Sequence, residues 1–391
     1  MFNNRLYHTG NKVTVNRFFA NIEVFFRATF IKCIFLLTDF IQMMKNKPNV
    51  RYVALGALLI LVWLTQWIPA LATIYSQTIY PLISYVLSFF SGLFPFAIGD
   101  LFIFLSITGV IVYPFYARLR KKLPWKKILL RDGEYLLWIY VWFYLAWGLN
   151  YSQKDFYGRT NIPYTAYTPE IFQSFVDNYI DKLNASYTDV TSIDEPLVCR
   201  ESVHGYNQIS DTLGIHRPPH SSPRVKTMLF TPFISMVGVT GSMGPFFCEF
   251  TLNGDLLPPQ YPATYAHELA HFLGITSEAE ANFYAYQVCT RSQVKEIRFS
   301  GYFSVLPHVL GNARRLMSEE EYAELFNRIR PEIIELAQKN QKYWMEKYSP
   351  LIGDIQNFIY DLYLKGNKIQ SGRKNYSEVI GLLISYEEWK N

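Results

Sequence analysis

The chain has 391 residues, which is long enough for more than one domain. Half of its residues are hydrophobic and 17% are aromatic, whereas the formal net charge is only +5. The basic residues cluster in two places beside apolar segments, so the mild basicity indicates a lipid bilayer as partner and we expect no nucleic-acid partner.

The N-terminal segment, residues 1–50, mixes apolar and charged residues. Phe18–Met44 carries apolar side chains at helical spacing, but four charged residues interrupt it. This pattern predicts an amphipathic helix on the cytoplasmic face of the membrane, because a membrane span would have to bury those charges. The same charges exclude a cleavable signal peptide. Translation from Met43 or Met44 is an alternative that would remove this segment.

The next segment, residues 51–151, is predicted to be a transmembrane region. No charged residue occurs between Tyr52 and Gly99. We predict three transmembrane helices, at about 52–74, 101–117 and 135–150. The apolar stretch Pro81–Ile98 contains glycine and proline and is interpreted as a short hairpin or an interfacial helix. The alternative for each segment is a helix of a soluble core.

The distribution of basic residues predicts the orientation in the membrane. Eight Lys and Arg residues precede the first span, seven lie at 118–131, and none lies between the first and second spans. By the positive-inside rule, the N-terminus and the loop 118–131 face the cytoplasm. Three spans then place residues 152–391 outside the cytoplasm, in a multi-pass protein of the cell membrane.

Residues 152–391 have the composition of a soluble, mostly helical domain. Ser192 and Ser318 are predicted N-caps, and Pro331 is expected to kink or split the long helical region that follows Ser318. Val225–Asn253 is rich in Phe, Val, Thr and Gly and is predicted to form a strand pair or an extended edge. The predicted helices are Pro169–Asn184, Ser192–Leu213, Glu278–Arg291, Ser318–Lys347, Asp354–Leu364 and Tyr376–Glu388.

The four cysteines do not predict a disulfide framework or a metal site. Cys33, Cys199, Cys248 and Cys289 are far apart in the sequence, and only three of them lie in the predicted extracytoplasmic domain. None has zinc-ligand spacing to another, so each is interpreted as a small buried hydrophobic residue.

The segment His267-Glu268-Leu269-Ala270-His271 carries the strongest chemical signal in the chain. It reads H-E-x-x-H within a run that can be helical, so both imidazoles lie on one face and can bind one zinc ion. Glu268 lies beside them and is the predicted general base, which would take a proton from zinc-activated water and later pass it to the leaving amine.

The third metal ligand is predicted a few residues downstream. Gly274 is a natural helix C-cap and Ser277 an N-cap for the next helix, which begins at Glu278. Glu278 and Asn282 are one turn apart on one face, so Glu278 is the predicted ligand and Asn282 can fix the tautomer of a ligating imidazole. Glu280 is the alternative ligand. All three can also be a solvated helix start, where acidic residues are favoured.

After these motifs the chain resembles two known groups. Glu278-Ala279-Glu280-Ala281-Asn282 following HExxH is similar to the gluzincin pattern, in which a Glu is the third zinc ligand. The chain also resembles a bacterial family of multi-pass membrane proteins catalogued only as a domain of unknown function.

The second resemblance covers about Tyr52–Glu388, and in one place the chain departs from that family. Members often show Pro-Phe-Thr-Gly-Glu before the HExxH motif, where this chain has Gly244-Pro245-Phe246-Phe247-Cys248-Glu249. The resemblance is carried by Trp147-Gly148-Leu149-Asn150-Tyr151, Gly238-Val239-Thr240-Gly241, Thr264–His271, Glu280-Ala281-Asn282-Phe283 and Tyr363-Leu364-Lys365-Gly366-Asn367.

The predicted fold is mainly α, with three N-terminal transmembrane helices and a mostly helical zincin-like metallopeptidase domain that has a short β edge. The predicted function is a membrane-anchored zinc metalloendopeptidase acting on a peptide or protein substrate.

Met243–Asn253 can be the edge along which a peptide binds as an added strand, or equally a buried structural strand. His308, Tyr302 and Arg314 are candidates for stabilising the oxyanion, with a structural role favoured for each.

Two other function classes are considered. One is a non-catalytic membrane sensor or assembly factor that keeps a structural zinc site. The other is a transporter, which is disfavoured because the predicted spans contain no intramembrane charge for a substrate path.

Overall fold

The computed structural model of the protein describes residues 50–220, 223–367 and 378–390. The chain divides between Ile60 and Leu61 into two units. The first unit contributes to the described residues only the start of helix α1 (Val50–Trp67), and the second unit holds all other described elements. The amphipathic helix predicted at Phe18–Met44 lies outside the described residues.

Two helices within the described residues are long and apolar enough to cross a membrane, judged by length and composition alone. They are α1 and α4 (Ile98–Leu119). The first predicted span, 52–74, is interrupted, because α1 ends at Trp67 and helix α2 (Pro69–Ile74) begins with a proline that has no backbone N–H to continue the ladder. A π-helical turn at 75–79 then leads into helix α3 (Tyr80–Gly92), within the stretch interpreted as a hairpin or interfacial helix.

The third predicted span, 135–150, is wrong as an independent membrane-spanning helix. Its residues form the second half of helix α5 (Trp125–Ala146), which begins ten residues before the predicted start. The first half of α5 carries five charged residues, so α5 does not meet the criteria of length and composition that α1 and α4 meet. These charged residues are Lys126, Lys127, Arg131, Asp132 and Glu134.

Helices α4 and α5 form an antiparallel hairpin. The Ser106 and Tyr135 hydroxyl groups are 2.9 Å apart, and Arg131 donates to the Tyr113 hydroxyl at 3.0 Å. The later residue on α4, Tyr113, thus contacts the earlier residue on α5, Arg131, so the two helices run in opposite directions. The basic loop predicted at 118–131 is mostly helical, because α4 continues to Leu119 and α5 begins at Trp125. Only residues 120–124 connect the two helices.

The remaining described residues form eleven helices, a short 3₁₀ turn at 148–152 and a small sheet. The helices are α6 (Phe156–Thr160), α7 (Pro169–Ser186), α8 (Glu195–Ile209), α9 (Thr231–Ser235), α10 (Tyr261–Phe272), α11 (Glu278–Thr290), α12 (Lys295–Leu316), α13 (Glu319–Arg328), α14 (Pro331–Lys347), α15 (Pro350–Gly366) and α16 (Val379–Lys390). The mainly helical class with a short β element is thus confirmed.

The sheet has three strands in the order β1-β3-β2. Strand β1 (Lys226–Thr227) runs parallel to β3 (Glu249–Leu252), and β2 (Gly241–Gly244) runs antiparallel to it. The predicted edge Met243–Asn253 therefore divides into two parts with different environments. Strand β3 is central and fully buried, whereas β2 pairs with no second strand among the described residues.

Local capping signals placed several helix ends correctly. The Ser318 side chain accepts from the Glu321 backbone N–H in a capping box, and Pro331 starts a separate helix rather than kinking one. The cap predicted at Ser192 is wrong. Asp194 takes that position and accepts from the Leu197 N–H, because its side chain directly precedes the first helical residue.

The core is built around helix α10. This helix packs against α8, α11, α12 and the sheet, so it is enclosed on most sides. Tyr265, Ala266, Leu269 and Ala270 have no measurable exposure. Burying such apolar side chains stabilises the fold by about 1.5–3 kcal/mol for each large one, and it fixes the orientation of the polar residues on the same helix.

Candidate metal centre

His267 and His271 lie one turn apart on α10 and face the same way. Their Nε2 atoms are 3.1 Å apart, and the ring centroids are 4.7 Å apart in an edge-to-face arrangement. The spacing of four residues places both rings on one face of the helix, as the sequence predicts.

The chain reverses direction immediately after α10. Gly274 has a φ of +96°, a conformation that costs other residues energy, and an added Cβ would lie 3.1 Å from the Tyr80 ring. Ser277 then caps α11 by accepting from the Glu280 N–H. This turn brings Glu278, the first residue of α11, back against the two histidines.

Side chains from earlier in the chain hold the end of α10 in place. The Tyr80 hydroxyl donates to the Phe272 carbonyl at 2.7 Å, and the Trp147 indole donates to the His271 carbonyl at 3.0 Å. Gln153 donates to the Gly274 carbonyl at 2.5 Å. These bonds go to carbonyl groups at and just after the end of α10, and they restrict movement of the histidines.

Glu278 completes a group of three metal-ligating side chains. Its Oε2 atom is 3.1 Å from His267 Nε2 and 3.4 Å from His271 Nε2. Its other oxygen accepts a hydrogen bond from the Tyr360 hydroxyl at 2.7 Å. A tetrahedral zinc site with bonds near 2.05 Å has ligand atoms about 3.3 Å apart, so these spacings fit a single ion.

The hydrogen bonds of the outer ring nitrogens also fit a metal. His271 Nδ1 lies 2.7 Å from the Ile275 carbonyl, which can only accept, so Nδ1 carries the proton. His267 Nδ1 lies 2.8 Å from Asn282 Oδ1, the contact that the sequence predicts. In the neutral rings both Nε2 atoms are then lone-pair acceptors that face a carboxylate oxygen. Three acceptor atoms this close repel one another, so a proton or a metal ion between them would stabilise the cluster.

The pKa values of these groups reflect the same attraction for positive charge. Burial lowers the pKa of His271, but the Glu278 carboxylate outweighs it and raises this pKa to about 9. Burial raises the pKa of Glu278, yet the two imidazoles hold it well below its ordinary value. The cluster is therefore a buried anionic pocket that favours a proton or a metal ion.

Glu268 projects from the same helix toward strand β2. It is only 5% exposed, and burial raises the pKa of its carboxyl group. Its Oε2 atom has no hydrogen-bond partner among the described residues, which is unusual for a buried carboxylate oxygen. On the other side, a Cβ added at Gly241 would lie 2.5 Å from Glu268 Oε1. Only glycine lets the strand approach this carboxylate so closely.

Glu280, the alternative ligand, lies away from the cluster. It forms an ion pair with Arg159 and accepts from the Phe156 backbone N–H at 3.2 Å. Both side chains of the pair are about nine-tenths buried. Glu280 therefore has a structural partner on helix α6, as expected from its position on the opposite side of α11.

The three candidates for stabilising an oxyanion have different surroundings. Tyr302 packs against the Tyr286 ring, and Arg314 lies 5.3 Å from the centre of the Tyr322 ring. Burial lowers the pKa of His308, and the charge of His267 lowers it further. Of the three, His308 alone shows an electrostatic coupling to the cluster among the described interactions.

Several residues that support this centre were not predicted from the sequence, and Tyr360 and Tyr80 show why. Tyr360 is one of 29 tyrosines, and nothing in its surrounding sequence indicates a contact with Glu278. Tyr80 lies in an apolar stretch that resembles a membrane segment, although its hydroxyl supports α10. Both contacts join residues more than 80 positions apart, beyond the reach of local sequence patterns.

The fold and this cluster define a mainly helical protein with a His/His/Glu group that can hold a metal ion. The chain belongs to a family of proteins of unknown function, DUF3810, which it matches over residues 75–384. The sequence prediction that the chain belongs to a family of unknown function is thus confirmed, over a slightly shorter range than Tyr52–Glu388, whereas the multi-pass membrane nature and the gluzincin signature stay predictions. No curated protein and no solved structure matches the chain.

Proposed function

We propose that this protein is a membrane-anchored zinc metalloendopeptidase. His267, His271 and Glu278 would hold the zinc ion, and Glu268 would be the general base and later the general acid. The observation that carries the proposal is the convergence of three acceptor atoms within 3.4 Å of one another beside a buried carboxylate that has an unpartnered oxygen.

The chemistry needs both parts of this arrangement. Zinc, when bound, supplies the Lewis acidity that lowers the pKa of water and polarises a carbonyl group. Glu268 Oε2 accepts no hydrogen bond from the part of the chain that the structure describes, so it is available to take a proton from an attacking water. A buried carboxyl with a raised pKa can also return that proton to the leaving amine nitrogen.

Strand β2 offers a surface for a peptide substrate. It lies at the edge of the sheet, and Gly241 brings its backbone against Glu268. An extended peptide added to this edge would satisfy its backbone hydrogen bonds next to the proposed base. The proposed edge is thus Gly241–Gly244, which overlaps the segment predicted from the sequence, Met243–Asn253, only at residues 243 and 244.

The orientation of helix α4 supports a catalytic domain outside the cytoplasm. The Glu249 side chain of strand β3 accepts from the Gly99 N–H at 2.7 Å and from the Ile98 N–H at 3.2 Å, so the domain holds the N-terminal end of α4. Twenty-two residues of helix place the other end, with its basic residues, about 33 Å away. By the positive-inside rule that basic end would face the cytoplasm. The antiparallel helix α5 would then return the chain to the side of the domain, with its charged first half toward the cytoplasmic end.

Metal analysis combined with peptide cleavage tests the function. Purified wild type should contain stoichiometric zinc and cut members of a peptide library, and His267→Ala or His271→Ala should lose the zinc. Glu268→Gln should keep zinc and fold while hydrolysis falls by about a hundred- to ten-thousand-fold. If both histidine variants keep wild-type zinc, the metal site is elsewhere. Zinc without cleavage of any peptide would favour a sensor or assembly factor.

A further inference from the structure

Helix α15 presents its apolar face outward and its polar face toward the domain. Among the described residues after Asn150, six of the eleven exposed large hydrophobic side chains lie on this one helix. Their exposure ranges from 43% at Ile352 to 75% at Leu351. These six residues are Leu351, Ile352, Ile355, Phe358, Ile359 and Leu362, which follow helical spacing and form one continuous stripe.

Hydrogen bonds on the inner face fix the direction of this stripe. The Tyr360 hydroxyl donates to Glu278 of the proposed metal centre, and Tyr363 and Tyr151 share a hydrogen bond of 3.2 Å. Rotation of the helix to bury its apolar side chains would break these contacts. Such a patch is unusual on a surface facing water, because each side chain gains free energy by leaving water.

Both ends of α15 adjoin segments that contact the α4–α5 hairpin. At its start, the Ser349 N–H donates to the Met236 carbonyl at 2.9 Å, in the segment that also contains Phe230. The Phe230 ring lies 5.4 Å from that of Phe104 on α4. At the other end, the Tyr144 hydroxyl of α5 donates to Asn367 at 2.8 Å. Both ends of α15 are therefore tied to the part of the chain proposed to enter the membrane.

We propose that α15 lies in the membrane interface with its apolar stripe among the lipid acyl chains. Its 17 residues give a length of about 26 Å, too short for a transmembrane helix but suitable for a helix lying in the interfacial plane. Through Tyr360, this helix would hold the Glu278 carboxylate beside the bilayer. The inference extends the proposed function, since it rests on the membrane location of α4.

Spin labelling in lipid vesicles tests this inference. Ile355→Cys and Phe358→Cys, each carrying a nitroxide, should collide far more often with oxygen, which concentrates in lipid, than with a water-soluble nickel chelate. The matched control is Lys339→Cys on α14, a side chain 73% exposed, which should show the reverse preference. The background is Cys33→Ser, because Cys199, Cys248 and Cys289 are buried and should not react.

A label at Ile107→Cys, in the exposed apolar face of α4, separates the inference from the proposed function. If Ile107 reports lipid while the α15 labels match the Lys339 control, the inference is wrong and the membrane location stands. If the α15 labels are shielded from both reagents, a protein surface covers the stripe and the inference is also wrong. Since the measurement requires neither zinc nor substrate, a lipid signal at α15 would survive failure of the peptidase proposal.

Discussion

The two carboxylates in the first turn of α11, Glu278 and Glu280, have different neighbours and therefore different proposed roles. Glu278 faces two imidazoles, whereas Glu280, two residues later, faces Arg159. A helix rotates about 200° over two residues, so the two side chains reach opposite neighbours. This division makes the pair a matched test of the proposed metal site.

Glu278→Gln and Glu280→Gln should affect different measurements. Glu278→Gln should lower zinc affinity strongly, because it replaces an anionic ligand with a neutral amide. Glu280→Gln should keep zinc affinity but lower the free energy of unfolding by about 3 kcal/mol, since it leaves the buried Arg159 without its countercharge. Chelator competition measures the first quantity and denaturant unfolding the second. If Glu280→Gln loses zinc while Glu278→Gln keeps it, Glu280 is the ligand.

The residues that contact the ligands should have smaller effects than the ligands themselves. Tyr360→Phe removes the hydrogen bond to Glu278, and Asn282→Ala removes the one to His267. Each should weaken zinc binding by about ten- to a hundred-fold, as changes beside metal ligands commonly do. Competition titration with a chelator measures this, with Tyr363→Phe on the same helix as control. Wild-type affinity in both variants would show that these contacts do not support a metal site.

At the scale of elements, the approach of strand β2 to helix α10 connects the sheet to the proposed base. The strand pairs with β3 through Gly241 and Leu252, so it cannot move freely away from Glu268. An alanine at 241 would bring its Cβ within 2.6 Å of two Glu268 atoms. The strand or the carboxylate must then shift.

Gly241→Ala should therefore lower kcat/KM for peptide hydrolysis while zinc remains bound. A displacement near 1 Å can cost about a hundred-fold in rate, because the reacting groups lose alignment. Ser242→Ala on the same strand is the control and should stay near wild type, since its side chain is exposed. Full activity in Gly241→Ala, with zinc content equal to wild type, would contradict the role assigned to Glu268.

The elements that the sequence predicts correctly are those with local signals. Such a signal affects its own backbone or a residue three positions away, so it can be recognised within a short stretch of sequence. Four residues carry signals of this kind: Gly274, Ser277, Ser318 and Pro331. The histidine pair needs only helical spacing. Helix α12 was missed, since no element was predicted between Arg291 and Ser318.

Features that depend on distant residues could not be read from the sequence. The apolar half of α5 resembles a membrane span when it is considered alone. The structure shows that the same helix begins at Trp125 and therefore also contains a charged first half. The contact between Tyr360 and Glu278 and the order of the three strands depend on tertiary packing. The candidate ligands were predictable from the sequence, and their support was not.

At the scale of the whole molecule, a buried ion pair connects the domain to helix α4. Lys226 and Glu249 are 2.6 Å apart with side chains only 2% exposed, and Glu249 also caps the start of α4. This gives a physical role to Glu249, the last residue of the segment Gly244–Glu249. The domain and the N-terminal end of α4 must therefore lie on the same side of any membrane that α4 crosses.

Reporter fusions test that orientation. A reporter that is active only outside the cytoplasm should be active when fused after Lys347, and inactive when fused at Lys122, in the connection between α4 and α5. The reason is that the positive-inside rule predicts the basic residues at 118–122 on the cytoplasmic side, while Glu249 holds the domain at the opposite end of α4. A reporter active only in the cytoplasm, fused at the same two positions, should give the inverse pattern. Activity of the first reporter at Lys122 and its loss at Lys347 would place the His/His/Glu cluster in the cytoplasm.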